Sequence, residues 1–287
     1  MSDVLVRIRG TILLVFCGAV LVVWSVPFWN AHQSAYLTVS FLDVGQGDAI
    51  LIETPEGIQV LIDGGASNMV LRSLAKEMSF FDRSIDMVIG THPDSDHVGG
   101  LVDVLARYQI GTILRTENNG VSATWNAYTN AITNEGAQIL FARQGQVFYL
   151  GSSTTLQVLY PIFNAANMES NTSSIVVQVT YGNTSFLLTG DSPIAIEKYL
   201  SATLGAKLHS TVLKLGHHGS HTSSSDVFLD TVHPKYAVVS AGKDNKYGHP
   251  HPEVIQKLKD RGIPWVNTAE EGTVTFVSDG TAVWKEQ

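Results

Sequence analysis

Residues 91–100 read THPDSDHVGG and carry four metal-ligand side chains within six positions: His92, Asp94, Asp96 and His97. They follow directly on an apolar, strand-like run, and a loop at the end of a strand can point all four side chains at one spot. Imidazole and carboxylate groups are ordinary ligands for zinc, manganese and iron, and no Lys or Arg lies between them. The stretch therefore predicts a metal site rather than a polar loop with chance His and Asp residues.

Two stretches farther along the chain also end strand-like runs with ligand-type side chains. Residues 213–220, LKLGHHGS, present His217 and His218, and residues 189–191 end at Asp191. Asp191 by itself could equally be the N-cap of a following helix. Together with the other two clusters, it is predicted to bridge the metals.

The remaining pattern predicts a layered domain over residues 36–287. Period-two alternation over residues 36–44, followed by two short strand-like runs, indicates an antiparallel opening. Helices and strands then alternate as far as a final hairpin around residues 273–284. This order favours sheets covered by helices, an α/β or α+β fold.

The first thirty residues differ from the rest in composition. Residues 11–29 carry no charge, which approaches the roughly 20 apolar residues of a membrane-spanning helix, so residues 11–30 are predicted to be a transmembrane anchor. Arg7 and Arg9 precede this segment, so the positive-inside rule places residues 1–10 in the cytoplasm and the domain outside the membrane. An N-terminal signal segment is the main alternative, and lipidation at Cys17 or a buried helix is a weaker one.

Charge and cysteine content exclude some classes of protein. The formal net charge is −8, the wrong sign for a broad basic surface that holds duplex DNA, although bound metals can supply a positive field at one site. Cys17 is the only cysteine, so the chain has neither an intrachain disulfide nor a Cys-based metal site.

Six motifs, in this order, resemble the metallo-β-lactamase domain of ComEC-type late-competence DNA-internalisation proteins. They are FLDVGQGDA (residues 41–49), LIDGG (61–65), THPDSDHVGGL (91–101), LLTGD (187–191), LKLGHHGS (213–220) and YGHPHPEV (247–254). The resemblance spans roughly residues 36–284. It implies a four-layer αββα sandwich with two divalent metal ions, manganese or zinc, with magnesium as a further option.

The same resemblance implies the ligands. His92 and Asp94 would hold the first metal, Asp96 and His97 the second, and Asp191 would bridge them. His217 is favoured over its neighbour as a further ligand of the second metal. Broader relatives have a histidine where this chain has Asp94, and another before the bridging aspartate. This difference leaves the occupancy of the first site open.

Four residues are predicted to take part in catalysis: Asp96, Lys214, His218 and His249. Lys214 and His249 are candidates for stabilising a phosphate oxyanion or protonating a leaving group. For Lys214, an ordinary surface role is equally consistent with the sequence. Asp43, Asp48 and Asp63 are predicted either to brace the metal ligands or to shape turns.

The sequence favours hydrolysis of a phosphodiester, with single-stranded DNA as the expected substrate and the DNA-uptake machinery as the expected partner. The chain lacks the many hydrophobic spans of a complete transporter, so it is not expected to form a DNA channel. Two alternatives remain, because a fold does not fix a function. One is another hydrolase, acting on a lactone, β-lactam or phosphorylcholine ester, and the other is a noncatalytic binding module.

Overall fold

The computed structural model describes residues 35–286, and the predicted cytoplasmic segment 1–10 and anchor 11–30 lie outside this range. Among the residues that it describes, no helix is both long and apolar enough to cross a membrane.

Two mixed sheets form the centre of the molecule. The first contains eight strands in the order β15-β14-β1-β2-β3-β4-β5-β6, and its β3 to β6 segment is parallel. Its strands are β1 (Leu37–Phe41), β2 (Ile50–Glu53), β3 (Gln59–Ile62), β4 (Ser84–Gly90), β5 (Gln109–Arg115), β6 (Gln138–Phe141), β14 (Val274–Ser278) and β15 (Val283–Lys285). The antiparallel opening predicted from the alternating N-terminal pattern is the β1-β2-β3 meander.

The second sheet contains seven strands in the order β13-β12-β11-β10-β9-β8-β7, with a parallel segment from β10 to β13. Its strands are β7 (Val147–Leu150), β8 (Thr154–Tyr160), β9 (Val176–Tyr181), β10 (Thr184–Leu188), β11 (Val212–Lys214), β12 (Tyr236–Val239) and β13 (Trp265–Asn267). A two-residue turn at Gly182-Asn183 joins β9 to β10, and these two residue types between strand-like runs are a hairpin signal in the sequence.

Helices cover the outer face of each sheet. They are α1 (Met69–Glu77), α2 (Ser95–Val98), α3 (Leu101–Leu105), α4 (Ala123–Glu135), α5 (Ile194–Leu204), α6 (Asp226–Val232), α7 (Pro252–Asp260) and α8 (Thr268–Glu271). The buried carboxylate of Glu197 in α5 accepts hydrogen bonds from the backbone N–H groups of Ser224 and Ser225, at 2.5 and 2.7 Å, where α6 begins. This contact fixes the start of α6 against α5.

Three apolar clusters define the layers. One lies between the two sheets and includes Phe41, Phe186 and Phe276. The second packs α1 to α4 on the first sheet, and the third packs α5 to α7 on the second sheet. Three interlayer cores require four layers, so the mixed α/β sandwich expected from the resemblance is confirmed.

The sequence does not predict two of the strands, β7 and β13. Exposed and less exposed side chains alternate along β7, but all four residues (VFYL) are apolar, so the sequence lacks the alternation of polarity that marks a half-buried strand. β13 has only three residues, and it is held by parallel pairing with β12. Both lie at edges of the second sheet, where neighbouring strands contribute more than local sequence does.

Candidate metal centre

The candidate site lies where parallel strands of both sheets end. β4 of the first sheet leads into residues 91–100, which we call the metal loop, and β10 and β11 of the second sheet lead to Asp191 and to the His217-His218 pair. The carboxyl ends of parallel strands meet at one edge of a sheet, so the three predicted clusters converge. All six predicted metal ligands lie in this region.

Asp191 is at the centre of the arrangement. Its side chain is 4% exposed, and four imidazole rings surround it. The Nε2 atoms lie 3.3 Å (His97), 3.5 Å (His218), 3.7 Å (His217) and 3.9 Å (His92) from its carboxylate oxygens. A buried carboxylate encircled by imidazole nitrogens offers a set of atoms that can hold a divalent cation.

The two other carboxylates of the metal loop lie on different sides of this centre. Asp94 Oδ2 is 3.7 Å from His92 Nε2, and its other oxygen accepts a hydrogen bond from Ser170 Oγ at 2.6 Å. Asp96 Oδ2 is 3.4 Å from His218 Nε2. The loop thus places Asp94 beside His92 and Asp96 beside His218.

Hydrogen bonds at Nδ1 fix the ring orientation of His92. Thr91 donates its only hydroxyl proton to Asp63 Oδ2 at 2.7 Å, so Thr91 Oγ1 can only accept from His92 Nδ1, 3.0 Å away. The lone pair of His92 therefore lies at Nε2. Since this atom is buried without a hydrogen-bond partner, it is available to a metal ion.

His97 and His218 present their Nε2 atoms in the same way. Nδ1 of His97 is 2.8 Å from Asp63 Oδ2, and Nδ1 of His218 is 2.9 Å from the backbone carbonyl of Ser240. Both Nε2 atoms are buried without a hydrogen-bond partner. Metal-binding histidines commonly use the second ring nitrogen in this manner, which orients the ring.

Consecutive left-handed residues aim the two neighbouring histidines. His217 has φ 49° and ψ 48°, and His218 has φ 55° and ψ 26°, values that are uncommon for residues other than glycine. His218 is buried, whereas the side chain of His217 is 27% exposed and its Nδ1 lies 2.9 Å from Thr222 Oγ1. Sequence alone favoured His217 as a ligand, but His218 lies nearer both Asp96 and Asp191.

Four buried residues offer atoms within 4.8 Å of one another: Asp48, His97, Asp191 and His218. Asp48 differs from the others because it approaches the Nδ1 atoms, at 3.3 Å for His218 and 3.9 Å for His97. It also forms an ion pair with Lys214. Asp48 thus lies behind the rings and braces them, whereas Asp191 faces their free Nε2 atoms.

Lys214 does not occupy the place predicted for it. Its side chain is 0% exposed, and the ammonium group pairs with buried Asp48. A phosphate in solvent has no access to this group, so the geometry does not support the predicted contact with a substrate oxyanion. The contacts of Asp48 and Asp63 with the histidine rings are those of residues that brace metal ligands. Asp43 instead accepts a local hydrogen bond from the Gly45 backbone N–H, which fits the alternative prediction that it shapes a turn.

The aspartates hold protons on the buried histidines. Burial disfavours the charged ring of His97, but Asp191 and Asp63 outweigh it and hold the pKa well above its ordinary value. Burial acts likewise on His218, and Asp191 and Asp48 raise its pKa to about 9. Burial opposes ionisation of Asp191, yet His218 and His97 keep the pKa of that carboxyl well below its usual range. A divalent cation at this site would therefore have to compete with these protons.

His249 lies at the mouth of the site. Its ring centroid is 5.4 Å from that of His217 and 6.1 Å from that of His218. Burial, and then the charges of His218 and His217, lower the pKa of His249 to about 4. The ring is neutral at pH 7, and its buried Nδ1 has no hydrogen-bond partner. This position suits the predicted contact with a reacting group.

Sequence reasoning missed the contacts that position the ligands from distant parts of the chain. Ser170 holds Asp94, and the side chain of Ser174 accepts a hydrogen bond from the backbone N–H of Asp191 at 3.2 Å. Both serines precede β9 in a polar stretch without a recognisable motif. Only the pairing of the strands brings this stretch to the metal loop.

Comparisons with known proteins agree with this geometry. The sequence profile of the Metallo-beta-lactamase superfamily matches residues 42–243. Competence protein ComA of Neisseria gonorrhoeae is 32% identical over 239 residues, covering 83% of this chain and 32% of that protein. ComE operon protein 3 of Bacillus subtilis is 29% identical over 256 residues, with the same coverage of 83% and 32%. The chain spans about a third of the length of these curated relatives.

Two solved structures show a similar fold. CmlA, a diiron beta-hydroxylase from Streptomyces venezuelae, has a TM-score of 0.53 at 13% identity, covering 80% of this chain and 52% of that one. Zn(2+)-bound PqqB from Methylobacterium extorquens also has a TM-score of 0.53, at 11% identity, covering 80% of this chain and 87% of that one. At such low identity, the likeness concerns the fold alone.

Proposed function

The chain belongs to the metallo-beta-lactamase superfamily, and from this premise we propose that it is a metal-dependent phosphodiesterase that cleaves DNA. One observation carries the proposal. The Nε2 atoms of His92, His97 and His218 and the Oδ1 atom of Asp191 are all buried without a hydrogen-bond partner. Leaving so many polar atoms unpaired is costly unless a further group binds them, and the donor set fits divalent cations.

We assign the ligands to two ions. His92 and Asp94 would hold the first, Asp96 and His97 would hold the second, and Asp191 would contribute to both. His218 completes the second position, because its Nε2 atom is 3.4 Å from Asp96 and 3.5 Å from Asp191. This assignment replaces the sequence-based preference for His217.

The chemistry of the ligands also influences which metal the site prefers. Carboxylate oxygens from Asp94, Asp96 and Asp191 make the site harder than an all-imidazole site. We therefore propose manganese or zinc, with magnesium as a further candidate.

A pair of divalent ions supplies an activated water nucleophile and charge compensation for phosphoryl oxygens. The protein keeps the ligands in place. Asp63 and Asp48 hold the Nδ1 sides of the rings, and the buried Lys214 ammonium holds Asp48. His249, neutral at pH 7, is placed to exchange a hydrogen bond or a proton with the leaving oxygen.

The choice of DNA as substrate rests on the competence relatives. Recombination protein 2 of Haemophilus influenzae is 30% identical over 269 residues, which cover 92% of this chain and 31% of that protein. With ComA, it supports a role in DNA uptake, in which single-stranded DNA is the proposed substrate and the uptake machinery the proposed partner.

We also propose that residues 11–30 anchor the chain in the membrane, with the catalytic domain on the extracytoplasmic side. The uncharged run and the preceding Arg7 and Arg9 support this topology. Protease added to intact spheroplasts should digest the domain, and protection until the membrane is lysed would contradict the orientation.

The test of function combines metal content with cleavage. The purified full chain is loaded with manganese, zinc or magnesium and incubated with single- and double-stranded DNA. We expect metal-dependent cleavage that Asp96→Asn and His218→Ala each abolish. His209→Ala is the matched control, because exposed His209 precedes β11, at the opposite end of that strand from His218.

Other results would point elsewhere. Stoichiometric metal without cleavage of any phosphodiester would indicate a different ester, lactone or β-lactam as the substrate. Failure to bind any of the three metals would indicate a noncatalytic binding module.

A further inference from the structure

The loop of residues 242–250 borders the metal centre and lines part of an open cavity of about 610 Å³. Its members include Lys243, Asp244 and His249, and Glu270 lies on the opposing wall. A cavity of this volume accommodates a nucleotide-sized group. Because the walls carry both a cation and carboxylates, they fit a ligand with hydrogen-bond donors as well as acceptors better than a bare anion.

The aromatic residue of this loop is unusually accessible. Tyr247 is 52% exposed, and its ring lies nearly parallel to that of His249, at an interplanar angle of 20° and a centroid distance of 5.6 Å. The Lys246 ammonium, on a flexible exposed side chain, lies over the Tyr247 ring at 5.1 Å from its centroid. An exposed aromatic face beside a lysine is the combination that single-stranded nucleic acids use, with bases on the ring and phosphates on the cation.

Internal hydrogen bonds fix the shape of the loop. The Asn245 side-chain amide donates to the carbonyls of Gly242 and His249, at 2.9 and 2.7 Å. Its oxygen accepts from the backbone N–H groups of Tyr247 and His249, at 3.2 and 2.9 Å. One side chain thus ties both ends of the loop together, so Tyr247 is presented on a preorganised support.

The loop lies within reach of a strand held at the metal centre. Ring centroids of His249 and His218 are 6.1 Å apart, and Tyr247 lies one further ring contact outward. Stacked nucleotides advance about 3.4 Å each along a strand. Two or three nucleotides therefore connect a phosphate at the metals with a base at Tyr247.

We propose that residues 242–250 form a binding site for a single-stranded nucleic acid, in which a base two or three nucleotides from the scissile phosphate stacks on Tyr247 and the phosphate beside that base contacts Lys246. The inference rests on the proposed function and adds the residues that would hold the single strand. In a duplex the faces of the bases are covered by their neighbours, so Tyr247 cannot stack on them.

The test compares two oligomers with the same backbone charge, oligothymidylate and an abasic tetrahydrofuran strand of equal length. Binding of both to the full chain is measured by fluorescence anisotropy, and cleavage is measured in parallel. We expect the wild-type protein to prefer the strand with bases by about 5- to 150-fold, the range of base–aromatic stacking. Tyr247→Ala should reduce this ratio towards one, and Tyr247→Phe should retain it.

Tyr149→Ala is the matched control. Tyr149 is 79% exposed on edge strand β7, four strands from β11 and therefore about 19 Å away at the usual strand spacing. This variant should keep the wild-type ratio. Lys246→Gln should lower the slope of log affinity against log salt by about 0.7, the value for one phosphate contact on a single strand.

Equal binding of the two oligomers by the wild-type protein would overturn the inference, as would an unchanged ratio in Tyr247→Ala. An unchanged salt slope in Lys246→Gln would overturn the phosphate contact. Base-dependent binding that requires Tyr247, but without cleavage under any metal, would support the site and reject the proposed nuclease activity. The experiment therefore distinguishes an error about base stacking on Tyr247 from an error about nuclease activity.

Discussion

Replacing Lys214 with methionine tests the ion pair beneath the metal centre. The side chains of Lys214 and Asp48 are 0% and 2% exposed, so the substitution leaves a buried carboxylate without its cation. Removing one partner of a buried pair costs about 3–5 kcal/mol. His218 Nδ1 remains 3.3 Å from Asp48, so we expect the lower value, about 3 kcal/mol.

The assay is urea unfolding of the full chain with a chelator, so that bound metal does not add to the free energy of unfolding. A loss of about 3 kcal/mol corresponds to a fall of roughly 6–12 °C in Tm for a domain of this size. Lys285→Met is the matched control, since it breaks an exposed pair with Glu271 and should cost less than about 1 kcal/mol.

A double variant separates charge from packing. Lys214→Met combined with Asp48→Asn removes both charges, so it should recover about 2 kcal/mol of the loss. The double variant should still bind metal about 10- to 100-fold more weakly, because the carboxylate behind His97 and His218 is gone. A single Lys214→Met variant that is no less stable than Lys285→Met, or a double variant that is no more stable than the single one, would refute the reasoning.

Three further predictions follow from the same structure. His97 and His218 have raised pKa values, so metal uptake at pH 7 should release about two protons, and the affinity for metal should rise with pH. Calorimetry in buffers of different ionisation enthalpy measures the number of protons released. Release of no protons would contradict this prediction. A Cβ on Gly47 would lie 2.0 Å from a backbone oxygen of the metal loop, so Gly47→Ala should lower metal affinity at least about tenfold. Gly136 is the control, because it also has a positive φ but a Cβ there would meet open space. Gly136→Ala should leave the metal affinity unchanged. Burial raises the pKa of Glu197 from 4.5 despite opposing hydrogen bonds, so above pH 4.5 the folded protein keeps a proton that the unfolded chain loses. The free energy of unfolding should therefore fall as the pH rises from 4.5 through the pKa of the folded state. Urea midpoints of Glu197→Gln, measured over the same pH range, should lack that fall.

The chemistry of the site could be predicted because it is local in sequence. Residues 91–100 place four ligands behind one strand, and the hairpin before Asp191 can be recognised from its turn. Each cluster needed only a strand end and ligand-type side chains. The convergence of the three clusters followed from the strand-end pattern and the resemblance together.

Two assignments depended on geometry that the sequence does not encode locally. The order of His217 and His218 around Asp191 depends on two successive left-handed residues, which a single sequence does not reveal. Lys214 ends an apolar strand, where a lysine ordinarily extends its head group to solvent. The burial of Lys214 depends on its ion pair with Asp48, which lies between strands of the first sheet, whereas Lys214 belongs to the second. The residues around Lys214 in the sequence therefore do not predict that it is buried.

The ion pair and the hydrogen bonds behind the metal centre also connect the two halves of the sandwich. Asp48, Asp63 and the metal loop follow strands of the first sheet, whereas Asp191 and Lys214 belong to the second. A cation held by His97 and Asp191 would therefore cross-link the two sheets at the edge where the inter-sheet core ends. Because such an ion binds only when both halves are in place, its binding free energy adds to that of folding. Metal binding would therefore be thermodynamically linked to closure of the sandwich, and it would add to the stability that the inter-sheet core already provides.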